Sequence, residues 1–412
     1  MPRKPMAAPK EMSLADHLTL GAVMQTYPRK VIETHLDKTG RNSIRNRLLP
    51  AFLVVYLVIV LAMYSEVSVR ENLRIVLEGL RRKFGNDETP VAGGTAISHQ
   101  RQRIGKEPFR EMFEAIVRPE ADKELKGCFF RRWRIVAVDG NHIEVQNTED
   151  NRQAFGTHSN QHAESGYPLL KWVCLVECGT RVDFAASVGG VHDSEAKLFD
   201  PLIERLDAGM ILLADRYYYS FERWKHCAGR GAALLWRVKS SLKLKPVMVL
   251  PDGSYLARIR PSDRLVRRGV CDKKEDMVVR VIEYQVEFED GARSETVRLI
   301  TSLLDPGKAS ADELAHLYAE RWNAETGFDE LKTHLKGSGR VLRSQLPEIV
   351  EQEFYGFLLA YFVVHKVMAD AARKGGVSPA ELSFVHAVRV IKRRLTENIP
   401  PCGEEKNLEV VV

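Results

Sequence analysis

An α/β protein carrying an all-helical N-terminal domain is the fold class this sequence predicts. Three observations carry that prediction: helical apolar spacing before Trp133, short apolar runs alternating with helical segments up to about residue 238, and a return to helical spacing after about residue 305. A chain of 412 residues should hold two or three domains, and with 44% hydrophobic residues it can bury a sizeable core. Six cysteines are scattered, and the one close pair, Cys174 and Cys178, lacks a second pair or histidines at metal-ligand spacing. This reads as a reduced, cytoplasmic chain without structural zinc or a disulfide framework. The start, MPRKPMAAPKEMSLADH, has no apolar signal-peptide core.

Ser13 can cap a helix running to about Tyr27, Pro28 interrupts it, and a second short helix covers Lys30 to Lys38 before Gly40. Leu49 to Tyr64 follows, 16 residues without a charge, short of the roughly 20 that a membrane span needs. A fully buried helix is the reading adopted, with a membrane segment as the alternative. Ser68 to Glu71 has capping-box spacing and opens a helix to about Lys83. Beyond a loop rich in Gly, Asp, Asn and Pro, Thr95 to Ile104 forms a short helix displaying His99, Gln100, Arg101 and Arg103. These two helices resemble a helix-turn-helix variant, in which Gln100, Arg101 and Arg103 can bind DNA by reading base edges. Residues 1–105 hold 16 Lys and Arg against 9 Asp and Glu, so the net charge of +6 resides at this end. A basic front module on a near-neutral body points to phosphate binding.

RIVAVDG, ending at Asp139 and Gly140, and the following HIEVQ read as extended chain. LLKWVCLVEC (169–178) and RVDFAASV (181–188) make two more strands joined by a Gly-containing turn, so the first three form an antiparallel meander. A helix from Ser194 to Asp207, capped by Asp193 or Ser194, leads into the buried strand MILLAD (210–215), and such a crossover predicts parallel pairing. A helix from Phe221 to Gly229 and the strand ALLWRV (233–238) complete a βββαβαβ run, the element order of a ribonuclease-H-like fold. Residues 239–303 carry short strands, turns such as Asp290-Gly291 and many charges, which reads as a β-rich insertion without chemistry of its own. Three helices close the chain, about Ala309 to Leu335, Pro347 to Arg373 and Pro379 to Leu395, and the tail from Thr396 reads as loosely ordered. The expected division is an α-helical DNA-binding domain (1–125), the first part of the core with Asp139 and Asp215 (126–238), the insertion (239–305), and the helical remainder with Glu325 (306–412).

YAERWNAETGFDELK, Tyr318 to Lys332, places Tyr318, Arg321, Glu325 and Lys332 within roughly 60° of one another on an α-helix. Leu317, Ala324, Phe328, Leu331 and Leu335 form an apolar stripe beside them. An ordinary solvated edge with an i,i+4 Arg/Glu pair has the same spacing, and two acids upstream decide between the readings. Asp139 ends RIVAV and Asp215 ends MILLA, and ligands gather at the carboxyl ends of strands in α/β sheets. Each alone reads equally as a turn residue. With Glu325 they make three converging carboxylates that, without a basic partner, repel unless a hard divalent cation joins them. Two Mg²⁺ ions roughly 3.5–4 Å apart can activate a water or a 3′-hydroxyl and stabilise the leaving oxygen of a phosphodiester.

Asp139, Asp215 and the ungapped signature Tyr-x2-Arg-x3-Glu-x6-Lys at Tyr318, Arg321, Glu325 and Lys332 resemble those of the DDE transposases of the insertion-sequence-four family. The likeness covers most of the chain, including LLADRYYYS around Asp215, LLWRVK, and LRSQLPEIVEQEFYGFLLAYFVV after the signature. It implies a ribonuclease-H-like catalytic core interrupted by a β-rich insertion. Asp139, Asp215 and Glu325 would be catalytic metal ligands for two Mg²⁺ ions, with Mn²⁺ able to substitute. Tyr318, Arg321 and Lys332 would contact phosphates at the transposon end, which their chemistry supports: a hydroxyl donor, a bidentate fork and a point charge. The resemblance also implies cut-and-paste transposition on double-stranded inverted-repeat ends and target DNA. It implies a homodimeric synaptic complex and a bacterial, nucleoid-associated protein with no membrane. A hairpin route, used in relatives, needs a flipped base stacked on an aromatic, and Trp236 is a candidate.

After Asp139-Gly140 the chain departs from the family pattern, with Asn141 where members often carry Thr, and Asn147-Thr148-Glu149 in place of an Asp-Thr-Pro-like segment. Asn141 can still donate to a phosphate or a ligand water. His142 and Glu144 are left out of the ligand set: strand alternation turns Glu144 to the face opposite Asp139, and His142 is read as solvent-facing. The competing reading is an inactive or repurposed copy that binds end DNA without cutting it. The presence of all three acids opposes it.

Overall fold

The computed structural model describes residues 18–43, 49–84, 90–157, 159–160, 163–164, 166–287 and 294–393. Ser13 as a cap, the turn at Asp290-Gly291, the end of the helix expected to reach Leu395 and the tail from Thr396 lie outside the described residues. Six helices come first: α1 (Leu18–Thr26), α2 (Arg29–Lys38), α3 (Ala51–Met63), α4 (Val69–Phe84), α5 (Gly94–Ile104) and α6 (Glu107–Ile116). The apolar segment is α3, which has 13 residues and no solvated face. Its Val and Ile residues cost up to about 0.7 kcal/mol each in helix propensity, whereas burying such a side chain contributes roughly 1.5–3 kcal/mol, so packing decides. The start of α4 is capped as expected, the Glu71 N–H donating to Ser68 Oγ at 3.2 Å. The sequence reading passes over α6. Its signal is Pro108 in the first turn, followed by Phe109, Met112 and Phe113 on one buried face.

The sheet begins with β1 (Phe129–Phe130), which pairs with the start of β2 (Trp133–Glu144). RIVAVDG and HIE are thus one 12-residue strand. After α7 (Glu149–Phe155) and the small ribbon of β3 (Ser159–Asn160) and β4 (Ala163–Glu164), β5 (Leu169–Glu177) and β6 (Val182–Gly189) complete the antiparallel meander. Ser194 caps α8 (Glu195–Phe199), which passes into a 3₁₀ turn over Asp200–Arg205. The expected helix to Asp207 is split there because Pro201 has no N–H to continue the i→i−4 ladder. β7 (Met210–Ala214) lies parallel to β2, and after α9 (Phe221–Gly229), β8 (Ala233–Arg237) lies parallel to β7.

Residues 246–301 carry β9 (Pro246–Val249), β10 (Tyr255–Ile259), α10 (Asp263–Arg267), β11 (Met277–Glu287) and β12 (Ser294–Thr301). β12 pairs antiparallel with β8, so these strands prolong the core sheet instead of forming one of their own. The main path of the ten-stranded mixed sheet is β6-β5-β2-β7-β8-β12-β11-β10-β9, with β1 beside β2. The chain closes with α11 (Ala311–Ala319), α12 (Trp322–Asp329), α13 (Pro347–Gly375) and α14 (Phe384–Arg393). Among the described residues α13 alone is long and apolar enough to cross a membrane, and 83% of its apolar window is buried inside the protein. It packs against α3 and α6 and joins the N-terminal helices to the sheet in one hydrophobic core.

Candidate active site

β2 and β7 run side by side in register, with Val138 opposite Ala214 as the last rung. Asp139 and Asp215 take the next matched positions, on strands about 4.8 Å apart. Each carboxylate is oriented by the backbone that follows it: Gly140 N–H donates to Asp139 Oδ1 at 2.9 Å, and Arg216 N–H to Asp215 Oδ1 at 2.5 Å. The two positions differ in one respect. β7 stops at Ala214, whereas β2 continues to Glu144 against β5, so Asp139 sits mid-strand where the parallel neighbour has just ended.

The single helix expected from Ala309 to Leu335 is three pieces. Between α11 and α12 the chain tightens: the N–H groups of Glu320, Arg321, Asn323 and Ala324 bond to carbonyls three residues back, at 3.0–3.2 Å. From Glu330 to Leu335 it widens into a π-turn, a distortion that recurs at functional sites. Leu317, Ala324, Phe328, Leu331 and Leu335 are buried as the apolar stripe requires. The polar stripe turns onto the sheet. Tyr318 O–H donates to Ala214 O at 3.4 Å, and Lys332 Nζ donates to Asn141 Oδ1 at 3.0 Å. Burial raises the Tyr318 hydroxyl's pKa well above its ordinary value, so it serves as a donor.

Arg321 overturns one expectation. The carboxylates do have a basic partner, because the buried Arg321 guanidinium bridges Asp139 Oδ2 at 2.8 Å and Glu325 Oε1 at 3.0 Å. The side chain expected on a DNA phosphate is here paired with Asp139 and Glu325. Burial still pushes the Asp139 carboxyl up to about 6, against the pull of Arg321 and the Gly140 N–H, with Glu325 and Glu195 adding to the rise. The Glu325 side chain remains 44% exposed, at the rim.

Other sequence-picked residues divide. Arg101 is buried and donates to Gln352 Oε1 at 2.9 Å and Ser344 Oγ at 3.1 Å, so it pins α5 to α13 and cannot read bases as expected. Gln100 is half-buried and spends its amide on Leu49 O at 2.6 Å, while Arg103 is exposed and bonds Gln100 Oε1 at 2.8 Å. Trp236 is fully buried, edge-on to Trp224 at 5.3 Å between ring centres. It cannot receive a flipped base. His142 and Glu144 are exposed, and the Glu144 charge acts on Lys332 and Lys336 instead of the acids. Thr148 caps α7 and donates to Gln345 O at 2.8 Å, a structural task.

Two residues went unnoticed in the sequence. Glu195, first in α8, lies against Gly140 and accepts from Tyr218 O–H at 3.2 Å. Trp322 is 59% exposed, with the Arg321 guanidinium 5.1 Å from its ring centre. An aromatic inside the signature and off its apolar stripe was the available signal for Trp322.

Among the described residues no three His, Cys, Asp or Glu side chains stand close enough together to cage a metal ion. The donor chemistry still fits a hard divalent cation: Asp139, Asp215 and Glu325 offer only carboxylate oxygens. The one cation now between Asp139 and Glu325 is Arg321.

Comparison with known proteins places the chain in a class of DNA-mobilising enzymes. Residues 132–363 match the family model described as the transposase DDE domain, and residues 17–114 match the insertion element 4 transposase N-terminal model. The chain belongs to the insertion-sequence-four DDE transposases. It is 26% identical over 374 residues to the transposase InsG for insertion sequence element IS4 of Escherichia coli (strain K12), covering 89% of this chain and 80% of that one. It is also 24% identical over 225 residues to the "Probable transposase for insertion sequence element IS5377" of Geobacillus stearothermophilus, covering 54% and 55%.

Proposed function

We propose that this chain binds the inverted-repeat ends of its insertion sequence as double-stranded DNA and carries out metal-dependent strand cleavage and transfer on a ribonuclease-H-like core. The observation that carries the reading is the matched placement of Asp139 and Asp215 past the last β2–β7 rung. Asp139, Asp215 and Glu325 would hold the divalent cations, Mg²⁺ or Mn²⁺. When bound, such ions activate a water or 3′-hydroxyl and stabilise the leaving oxygen of a phosphodiester.

The rest is the work of this chain's own residues. Arg321 can exchange its two carboxylates for a phosphate, which a guanidinium also binds bidentately. Lys332, against Asn141, and Tyr318, against Ala214, add a point charge and a hydroxyl donor. Trp322, in place of Trp236, exposes a ring on which a displaced base can stack. The basic N-terminal helices would add phosphate contacts, and two copies would meet in the synaptic complex, in the cytoplasm.

A second reading, a copy that binds ends without cutting, is favoured by one observation: Arg321 already neutralises Asp139 and Glu325. Incubation with DNA carrying the element's own inverted repeats and Mg²⁺ separates the two. Wild type is expected to bind, nick and join the ends, and Asp215→Ala to bind them while cutting falls to background. Wild type that binds and never nicks would establish the second reading.

A further inference from the structure

Glu195 is a carboxylate at this site that the signature does not account for. Its side chain lies over Gly140, where a Cβ would stand 2.8 Å from Glu195 Cδ and 2.9 Å from Cγ. A larger residue after Asp139 would push Glu195 aside. The carboxylate oxygen nearest Gly140, Oε2, also accepts from Tyr218 O–H at 3.2 Å. Tyr218 is buried, edge-on to Phe199 at 5.6 Å between ring centres, and its N–H closes a turn on Asp215 O at 3.0 Å. One side chain therefore links the two acids' neighbourhoods, resting on the residue after Asp139 and tied to the turn that begins at Asp215.

The ladder explains why such a tie is needed. β2–β7 pairing ends at Val138 and Ala214, so no backbone rung holds Asp215 against Asp139. We propose that Glu195 is a positioning residue that, through Gly140 and Tyr218, fixes the separation of Asp139 and Asp215 and with it their joint affinity for a divalent cation. This rests on the transposase reading above. Groups that orient metal-binding side chains commonly carry about 10–100-fold in metal affinity.

The test measures Mn²⁺ affinity by electron paramagnetic resonance on the full chain bound to end DNA, alongside the Mg²⁺ dependence of cleavage, end-DNA affinity and melting temperature. Tyr218→Phe removes only the hydroxyl, Gly140→Ala displaces the carboxylate, Glu195→Ala removes it, and Glu195→Gln keeps an acceptor for Tyr218. Glu195→Ala, Tyr218→Phe and Gly140→Ala are expected to weaken Mn²⁺ binding and raise the half-saturating Mg²⁺ by about tenfold or more, with end binding unchanged. Glu195→Gln is expected to stay near wild type. Wild-type Mn²⁺ affinity in Tyr218→Phe and Gly140→Ala overturns the positioning role, as does a Glu195→Gln loss equal to that of Glu195→Ala. Both results leave the transposase reading standing if wild type cuts the ends. A wild type that neither binds nor cuts them overturns that reading and this one together.

Discussion

Two of the three acids are carried by the sheet, one within a strand and one just past a strand end, and the third by a distorted helix, and the two supports behave differently. Asp139 lies within β2 and Asp215 directly follows β7, so strand register, which cannot slip by one residue without turning every side chain to the other face, brings them alongside each other. Glu325 lies between a tightened turn and a widened one, exposed at the rim and shared with Arg321. That helix is pinned below by Glu330, which is buried with Arg181 at 3.0 Å, Tyr361 O–H at 3.2 Å and His365 at 3.2 Å. Burial alone would raise the Glu330 pKa, and the His365 contact and Arg181 charge more than reverse it. Burial pulls the His365 pKa below its ordinary value, and Arg181 supplies a guanidinium counter-charge to Glu330 at 3.0 Å. The sheet supplies fixed positions, and the helix supplies an acid and a cation whose pairing can change.

The most damaging change to this contrast is expected at the pin. Glu330→Ala leaves Arg181 buried without its counter-charge and should cost about 3–5 kcal/mol in denaturant unfolding. If stability is unchanged, the helix is held elsewhere. Arg321→Ala comes next. It frees Asp139 and Glu325 from their guanidinium, so Mn²⁺ binding without DNA should strengthen while cleavage of end DNA falls by about 10–100-fold, about 1.4–2.7 kcal/mol. Weaker Mn²⁺ binding in that variant would mean that Arg321 organises the acids instead of occupying them.

The smallest effect belongs to the buried start of β6. Burial pushes the Asp183 carboxyl up to about 7, opposed by the nearby Cys174 thiol and with a further rise from Glu330. Between the ordinary carboxylate range and that value the native state binds more protons than the unfolded chain, so stability falls as pH rises through the window. Asp183→Asn should flatten this slope and melt higher than wild type at pH 8, by on the order of 1 kcal/mol after the cost of an unsatisfied amide. Parallel pH profiles for the two proteins would place the proton elsewhere.

The same contrast marks what the sequence could disclose. The succession of strands and the parallel crossover were legible from the apolar runs; the run before Asp215 does stop at a strand end, whereas the run before Asp139 does not, because β2 continues against β5. The signature helix was legible as spacing but not as shape, since propensity says nothing of where a helix tightens or widens. Arg321 was placed on the right stripe, yet its partner Asp139 is 182 residues away and only the fold brings them together. Arg101 was misread where the spacing held the answer: Ile97, Arg101 and Ile104 share one buried face. Trp236 was misread because a strand covered on both sides shows no alternation. Glu195 was missed because its meaning lies in Gly140 and Tyr218, on two other elements.

The most direct measurement takes the helix-borne acid alone. Glu325→Gln keeps the size and an acceptor for Arg321 and removes only the charge. Cleavage of inverted-repeat DNA in Mg²⁺ is expected to fall to the level of Asp215→Ala while end binding stays at the wild-type value. Cleavage at the wild-type rate would show that the sheet's two aspartates work without the helix, and that Glu325 is not part of the site.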